Sequence, residues 1–272
     1  MSGMSAIMGV MQNAARKAAR GLQRDFGEVE TLQISRKGPS DFVSRADKKA
    51  EEVIHEQLSY ARPGYSFLME EAGEIEGTDK SHRFIVDPID GTTNFLHGIP
   101  HFAISIALER EIDGNPRELV AGLVYNPITD DMWFAEKGRG AYINDGTRGG
   151  ADRRLKPSQR DLFSDCVFAT GIPFKGKPGH AKYLKELHQV MGTSAGVRRF
   201  GAASLDLAWT AAGRYDGFWE RGLKPWDIAA GVLIAREAGL QVEGLSNGDV
   251  MDTGDIIVAN EKLLPMLKDR VT

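Results

Sequence analysis

A short apolar run, Arg83-Phe84-Ile85-Val86, breaks directly into Asp87-Pro88-Ile89-Asp90-Gly91-Thr92-Thr93-Asn94-Phe95. The run reads as a buried strand, and the rest of the chain has to be organised around it. Its end carries two carboxylates three residues apart, on a turn locked by Pro88 and opened by Gly91. Asp87 and Asp90 are then close enough to ligate neighbouring hard cations or to share one. Gly91, Thr92 and Thr93 offer free backbone N–H groups where a helix could begin, and such a terminus attracts anions. Carboxylates for a cation beside amides for an anion predict a metal-dependent phosphate site. Asp and Gly after a strand are also ordinary turn chemistry, and an Asx-turn needs no metal. Upstream, Ser66-Phe67-Leu68-Met69 reads as a second strand that ends in Glu70-Glu71, so here too carboxylates follow an apolar run.

Around these strands the pattern changes along the chain. Ile7, Val10, Met11, Ala14, Ala15, Ala18, Leu22 and Phe26 recur at helical spacing, with Arg and Lys between them. Thr31 to Ser35 reads as a strand and Lys37 to Asp41 as a polar loop. A second helix is expected from Ser44, with Ala46, Ala50, Val53, Ile54 and Leu58 on its buried stripe. Ser44-x-x-Asp47 resembles a capping box with Asp in place of Glu. Strands are expected over 102–108, 119–125 and 132–135, with turns at Asn115-Pro116, Asn126-Pro127 and Asn144-Asp145-Gly146 and a tight bend at Gly138–Ala141. Successive strands without helices between them predict an antiparallel or mixed sheet.

From Asp161 onward strands and helices alternate, which predicts an α/β half. The expected strands are 165–169, 197–200, 215–219 and 256–259; the helices are 183–191, 203–212, 225–238 and 261–267. The best boundary is Gly149-Gly150, giving halves 1–150 and 151–272 that form one compact unit. In the third of those helices Pro225 would stand at N1 and Asp227 at N3, where an acidic residue is favoured by the helix dipole.

Composition narrows the function classes. A chain of 272 residues is long enough for one large domain or two closely joined ones. The formal net charge of −4 gives no argument for direct nucleic-acid binding. The single cysteine, Cys166, excludes an intrachain disulfide and a cysteine-rich zinc site, and its apolar setting predicts a buried structural thiol. The six histidines form no metal-spacing pair. No stretch has the apolar length of a membrane span, and the N-terminus has no apolar core of a secretory signal, so a cytoplasmic protein is expected.

Taken together, Glu70-Glu71, Asp87-Pro88-Ile89-Asp90-Gly91-Thr92 and Trp226-Asp227-Ile228-Ala229-Ala230-Gly231 resemble the blocks of the inositol monophosphatase family. The blocks Gly201–Ala208 and Asp216-Gly217-Phe218-Trp219-Glu220 are similar to those of its bacterial SuhB-type members. The likeness covers nearly the whole chain, in order. One departure is Met69, where animal members tend to have Gly.

The resemblance implies a layered αβαβα sugar-phosphatase fold, α+β in the first half and α/β in the second. It also implies a lithium-sensitive, homodimeric phosphatase of a polyol or sugar monophosphate such as inositol 1-phosphate, working with two to three Mg²⁺ ions. Glu70, Asp87, Asp90 and Asp227 are hard oxygen donors with no His or Cys among them, which suits Mg²⁺ over zinc. By the resemblance, Glu70, Asp87 and the Ile89 carbonyl hold the first ion, Asp87, Asp90 and Asp227 the second, and Glu70 shares a third. Glu70 would also orient the attacking water, and Thr92, held by Asp47, would polarise it. The amides of Gly91 and Thr92 would cradle the phosphate. Glu220 would read the alcohol hydroxyls, with Gly201, Ala202 and Ala203 presenting backbone groups. From the residues alone, Gly-Ala-Ala is simple helix initiation and Asp227 a helix-start acid. Sister activities hydrolyse fructose 1,6-bisphosphate, histidinol phosphate or 3′-phosphoadenosine phosphate, and the metal blocks do not separate them. SuhB-type relatives also imply a regulatory role through protein contacts in transcription antitermination and ribosomal RNA synthesis. The Arg198-Arg199 pair resembles positions there, although it also reads as a solvated strand end.

Overall fold

The computed structural model of the chain describes residues 5–28, 34–36, 42–111, 114, 117–146, 151–174 and 176–272. In chain order the first part carries α1 (Ala6–Phe26), β1 (Ile34–Arg36), β2 (Phe42–Ser44), α2 (Arg45–Ala61), β3 (Tyr65–Met69), β4 (Gly73–Ile75) and β5 (Asp79–Asp90). After the short α3 (Thr92–Leu96) come β6 (Ala103–Arg110), β7 (Glu118–Asn126), β8 (Asp131–Glu136), β9 (Gly140–Asp145) and β10 (Asp152–Arg154). Then follow β11 (Val167–Thr170), α4 (His180–Met191), β12 (Gly196–Arg198), α5 (Ala203–Ala211), β13 (Gly217–Glu220) and α6 (Pro225–Ala238). The chain closes with β14 (Gln241–Gly244), α7 (Val250–Thr253), β15 (Ile256–Ala259) and α8 (Leu263–Val271).

Two sheets form the frame. The larger has eight strands in the order β10-β9-β8-β7-β6-β5-β3-β4, antiparallel except for the β3–β5 pair. The smaller has five, β12-β11-β13-β15-β14, parallel across β12-β11-β13 and antiparallel beyond.

The period of two along each strand sorts side chains into layers. Phe84 and Val86 of β5 join Ile104 and Ile106 of β6 in a core under α1 and α2. Ile85, Ala103 and Ala107 face the other way, into a core filled by α5 and α6. The smaller sheet repeats the arrangement. Phe218 and Val258 point to α5 and α6, while Phe168, Trp219 and Ile257 point outward to α4 and α8. The layers are therefore α, β, α, β, α, as expected. The middle helices are buried nearly all round, which is what a position between two sheets requires. In α6, Ile228 through Ala235 are all buried.

Several boundaries differ from the sequence expectation. The strand predicted over 197–200 stops at Arg198, because the chain turns at Gly201, whose φ is +81°. Asn144 and Asp145 belong to β9, where Asn144 lies opposite Asp152 of β10 and Asp145 opposite Asp131 of β8, so strand reaches into the turn expected at Asn144-Asp145-Gly146. The last helix begins at Leu263 rather than Glu261, and Asn260 Oδ1 just before it accepts from the amides of Lys262 and Leu263. β14 is an addition: Gln241–Gly244 pairs antiparallel with β15, so the second half has a mixed sheet. The polar loop 37–41, the turn at Asn115-Pro116, the boundary at Gly149-Gly150 and residues 31–33 of the early strand lie outside the described residues.

Candidate active site

The site grows from the β3–β5 pair. Met69 lies opposite Val86 in parallel register, so Glu70 and Asp87 leave the sheet side by side. Glu70 is tied in by its amide, which donates to Val86 O at 3.2 Å. The turn after it is held by Glu51 of α2, a buried carboxylate that accepts from the amides of Glu71 and Ala72, both at 2.9 Å. Glu51 carries no motif in the sequence. Only its place one turn past Asp47, on the buried face of α2, could have pointed to it.

Between Asp87 and Asp90 the register against β6 shifts: Asp87 faces Ser105 and Asp90 faces Ala103. One residue is extra on β5, which makes this a bulge, and Pro88 is tolerated there because a bulge leaves an N–H without a ladder partner. The bulge aims both carboxylates at one end of the sheet. The turn chemistry is real: Asp87 Oδ1 accepts from the Ile89 amide at 2.9 Å. Gly91 follows at φ +95°, and a side chain there would stand 3.1 Å from His101 O and 3.3 Å from Ala202 Cβ. Glycine thus lets the turn lie against the Gly201–Ala203 segment. Asn94 fastens the same junction, donating to His101 O at 2.8 Å and Phe200 O at 2.7 Å.

Asp90 is held from α5. The Ser204 amide and hydroxyl both donate to Asp90 Oδ2, at 2.7 and 2.5 Å. Ser204 is fully buried, and the sequence reading passed over it in favour of the three small residues before it. Asp227 comes from the first turn of α6, at N3 behind Pro225 as expected, and its Oδ2 accepts from the Lys224 amide at 2.7 Å. Ser105 of β6 donates to Trp226 O at 3.2 Å, which brings this helix start to the bulge. Each of the three aspartates is therefore oriented through one oxygen by a donor of the chain.

Thr92 Oγ1 donates to Ile89 O at 3.0 Å. Asp47 is buried and lies within the electrostatic reach of Glu70. Glu220, at the end of β13, packs its carboxylate over Gly171, where any Cβ would overlap it. Cys166 is fully buried, donates to Leu162 O at 3.2 Å, and burial pushes its thiol up to about 12, as a structural role predicts.

The electrostatics of this cluster are unusual. Burial, then Asp47 and Asp227, push Glu70 up to about 8. Burial, then Glu70, Asp90 and Asp227, hold Asp87 well above the usual carboxylate range. Burial raises Asp227 to about 7, with Asp90 adding to it, and Asp90 to about 6, with Ser204 opposing. Among the described residues none of the four makes an ion pair with Lys or Arg. Four acids thus share a site that disfavours their charges. A divalent cation with hard oxygen preference is the group this donor set fits, since it neutralises them without adding His or Cys. The Ile89 carbonyl fits as a further donor, because its second lone pair remains after the Thr92 bond. Among the described residues no three acidic, His or Cys side chains form a finished metal cage. The aspartates face the chain's own donors instead.

This layered arrangement, with acids gathered at one end of its larger sheet, is that of a phosphatase fold. Residues 4–271 match the model of the inositol monophosphatase family, and the chain belongs to that family. It is 56% identical over 263 residues to an inositol-1-monophosphatase of Caulobacter vibrioides, covering 96% of this chain and 99% of that protein. It is 39% identical over 262 residues to the Nus factor SuhB of Escherichia coli, covering 96% and 94%. The crystal structure of the extragenic suppressor protein suhB from Bartonella henselae superposes with a TM-score of 0.91 at 54% identity, covering 98% of this chain and 99% of that one.

Proposed function

We propose that the protein is a Mg²⁺-dependent phosphomonoesterase that hydrolyses inositol 1-phosphate or a related polyol or sugar monophosphate. The observation that carries this reading is the set of four clustered carboxylates, forced toward their protonated forms and without Lys or Arg partners among the described residues. Glu70, Asp87 and the Ile89 carbonyl would hold one ion, Asp87, Asp90 and Asp227 a second, and Glu70 a weaker third. Bound there, Mg²⁺ would supply Lewis acidity toward the phosphoryl oxygens and acidify a water for attack.

The chain's own groups set the geometry. The amides of Gly91 and Thr92, at the start of α3 beside the bulge, would take the phosphate oxygens. Glu70 would orient the attacking water, and Thr92, held by Asp47, would polarise it. Glu220 would accept hydrogen bonds from ring hydroxyls of the leaving alcohol, with Gly201, Ala202 and Ala203 closing the pocket by their backbone. The relative named an inositol-1-monophosphatase supports the substrate class. The test is phosphate release from a panel of sugar and polyol phosphates, with Mg²⁺, Ca²⁺ or EDTA. Turnover should require Mg²⁺, and Ca²⁺ should support little, because its looser coordination suits in-line attack poorly. Full activity in EDTA would overturn the reading. Lithium inhibition, a homodimer and a cytoplasmic setting belong to the same proposal. No described helix is long and apolar enough to cross a membrane.

A second role is favoured by one observation, the 39% identity to a Nus factor. It would be a protein contact with the transcription machinery, coexisting with hydrolysis. Capture of that machinery by an Asp90→Asn variant as well as by the wild type would separate the contact from catalysis. Failure of both to capture it would remove the second role.

A further inference from the structure

The cavity at the site is lined by side chains of both charges. It has a volume of about 650 Å³, in the middle of the range of about 300–1,000 Å³ that serves drug-sized ligands. Its inner end is acidic, formed by Glu70, Asp227 and Glu220. Its outer wall is built by the described residues between β11 and α4, by the first turns of α4 and by the turn between β13 and α6, and it carries basic side chains. Lys177, Lys182 and Lys224 line it, together with Arg221.

The acids on that outer wall are already engaged. Arg221 Nη2 lies 3.0 Å from Glu186 Oε1, and Nη1 lies 3.4 Å from Asp255 Oδ2. The three lysines make no ion pair with any described residue. Lys177 lines the cavity together with Glu220 and Asp227. Beside it stands an apolar surface: Phe174 and Ile172 are 43% and 41% exposed, and Lys177 Nζ lies 5.5 Å from the Phe174 ring centroid. Unpaired ammonium groups next to an exposed ring, on the wall of a cavity whose floor is acidic, give the pocket two poles of opposite sign.

We propose that this outer wall is a subsite for a second anionic group on the alcohol part of the substrate, with Lys177 and Lys182 as its specificity-determining residues. The inference rests on the phosphatase reading of the inner end. It adds that the preferred ester carries a carboxylate or a further phosphate remote from the scissile one. A carboxylate and a phosphate offer the same chemistry to an ammonium group, and substrates distinguish them.

The experiment compares glucose 6-phosphate, 6-phosphogluconate and glucose 1,6-bisphosphate with wild type and Lys177→Ala/Lys182→Ala, at low and high salt. Binding of the same three ligands is followed by the fluorescence of Trp219 and Trp226, which line the cavity. The wild type should favour at least one doubly charged ligand by about tenfold in kcat/KM and in Kd, through KM and with a strong salt dependence. The double variant should lose that advantage while its kcat/KM for glucose 6-phosphate stays within about twofold. Preference for one doubly charged ligand over the other identifies the group. Equal binding of all three ligands by the wild type would overturn the subsite, and so would a preference that survives in the double variant. Discrimination in binding without hydrolysis of any of the three would leave the subsite standing and count against the phosphatase reading.

Discussion

Ser204 gives Asp90 both its amide and its hydroxyl, so one oxygen of that carboxylate is fixed before any cation arrives. Ser204→Ala removes a hydrogen bond to a charged acceptor, an effect of about 1.5–3 kcal/mol. It should weaken Mg²⁺ binding about tenfold while kcat at saturating Mg²⁺ changes only a few-fold, and Ser204→Thr should restore part of the affinity. Calorimetric titration of Mg²⁺ checks this, and an unchanged affinity would show that the amide alone orients Asp90. The Glu70–Glu71 pair is open to a similar test. Glu70 shares the field of Asp47, Asp227 and Asp87, whereas the amide of Glu71 is the group that Glu51 holds. Asp90→Asn should lower kcat by orders of magnitude and Glu71→Gln far less. A larger defect at Glu71 would reverse the assignment of the pair.

At the scale of elements, the strands that end in carboxylates were legible because apolar runs stop abruptly at charge, as at Val86-Asp87 and Met69-Glu70. The helix from Pro225 to Ala238 was legible through its Pro start and Gly stop. What joins these elements was not. Glu51 and Ser204 act on residues 20 and 114 positions away, and no local spacing encodes that. The edge strand β14 was missed because Gln241-Val242-Glu243-Gly244 shows no apolar run. The approach of β11 to β13 gives a test of its own. Gly171 leaves room for the Glu220 carboxylate, so Gly171→Ala must displace it. Its kcat/KM for inositol 1-phosphate should fall about ten- to a hundredfold, the loss of one charged acceptor. Hydrolysis of p-nitrophenyl phosphate, which offers no ring hydroxyls, should be spared. A parallel loss on both substrates would mean that Glu220 does not read the alcohol.

For the molecule as a whole, the acidic cluster sets how stability depends on pH. In the fold Glu70, Asp227 and Asp90 hold protons up to about 8, 7 and 6, whereas in the unfolded chain they release them near 4. The native state therefore binds more protons between those limits. The stability from this cluster is fully present below about pH 4 and is lost as pH rises through 6 to 8. In EDTA the contribution of these groups should lower Tm between pH 5.5 and 8. Mg²⁺ should raise Tm more at pH 8 than at pH 5.5, because fewer protons compete for the same oxygens. An equal Mg²⁺ gain at both values would place the ion elsewhere. The most direct measurement is calorimetric titration of Mg²⁺ into metal-stripped wild type, Asp90→Asn and Asp227→Asn, beside their rates of phosphate release from inositol 1-phosphate. The account predicts at least two ions in the wild type, one fewer or far weaker in each variant, and hydrolysis that falls in step. Unchanged Mg²⁺ binding in both variants, or hydrolysis by the stripped protein, would contradict it.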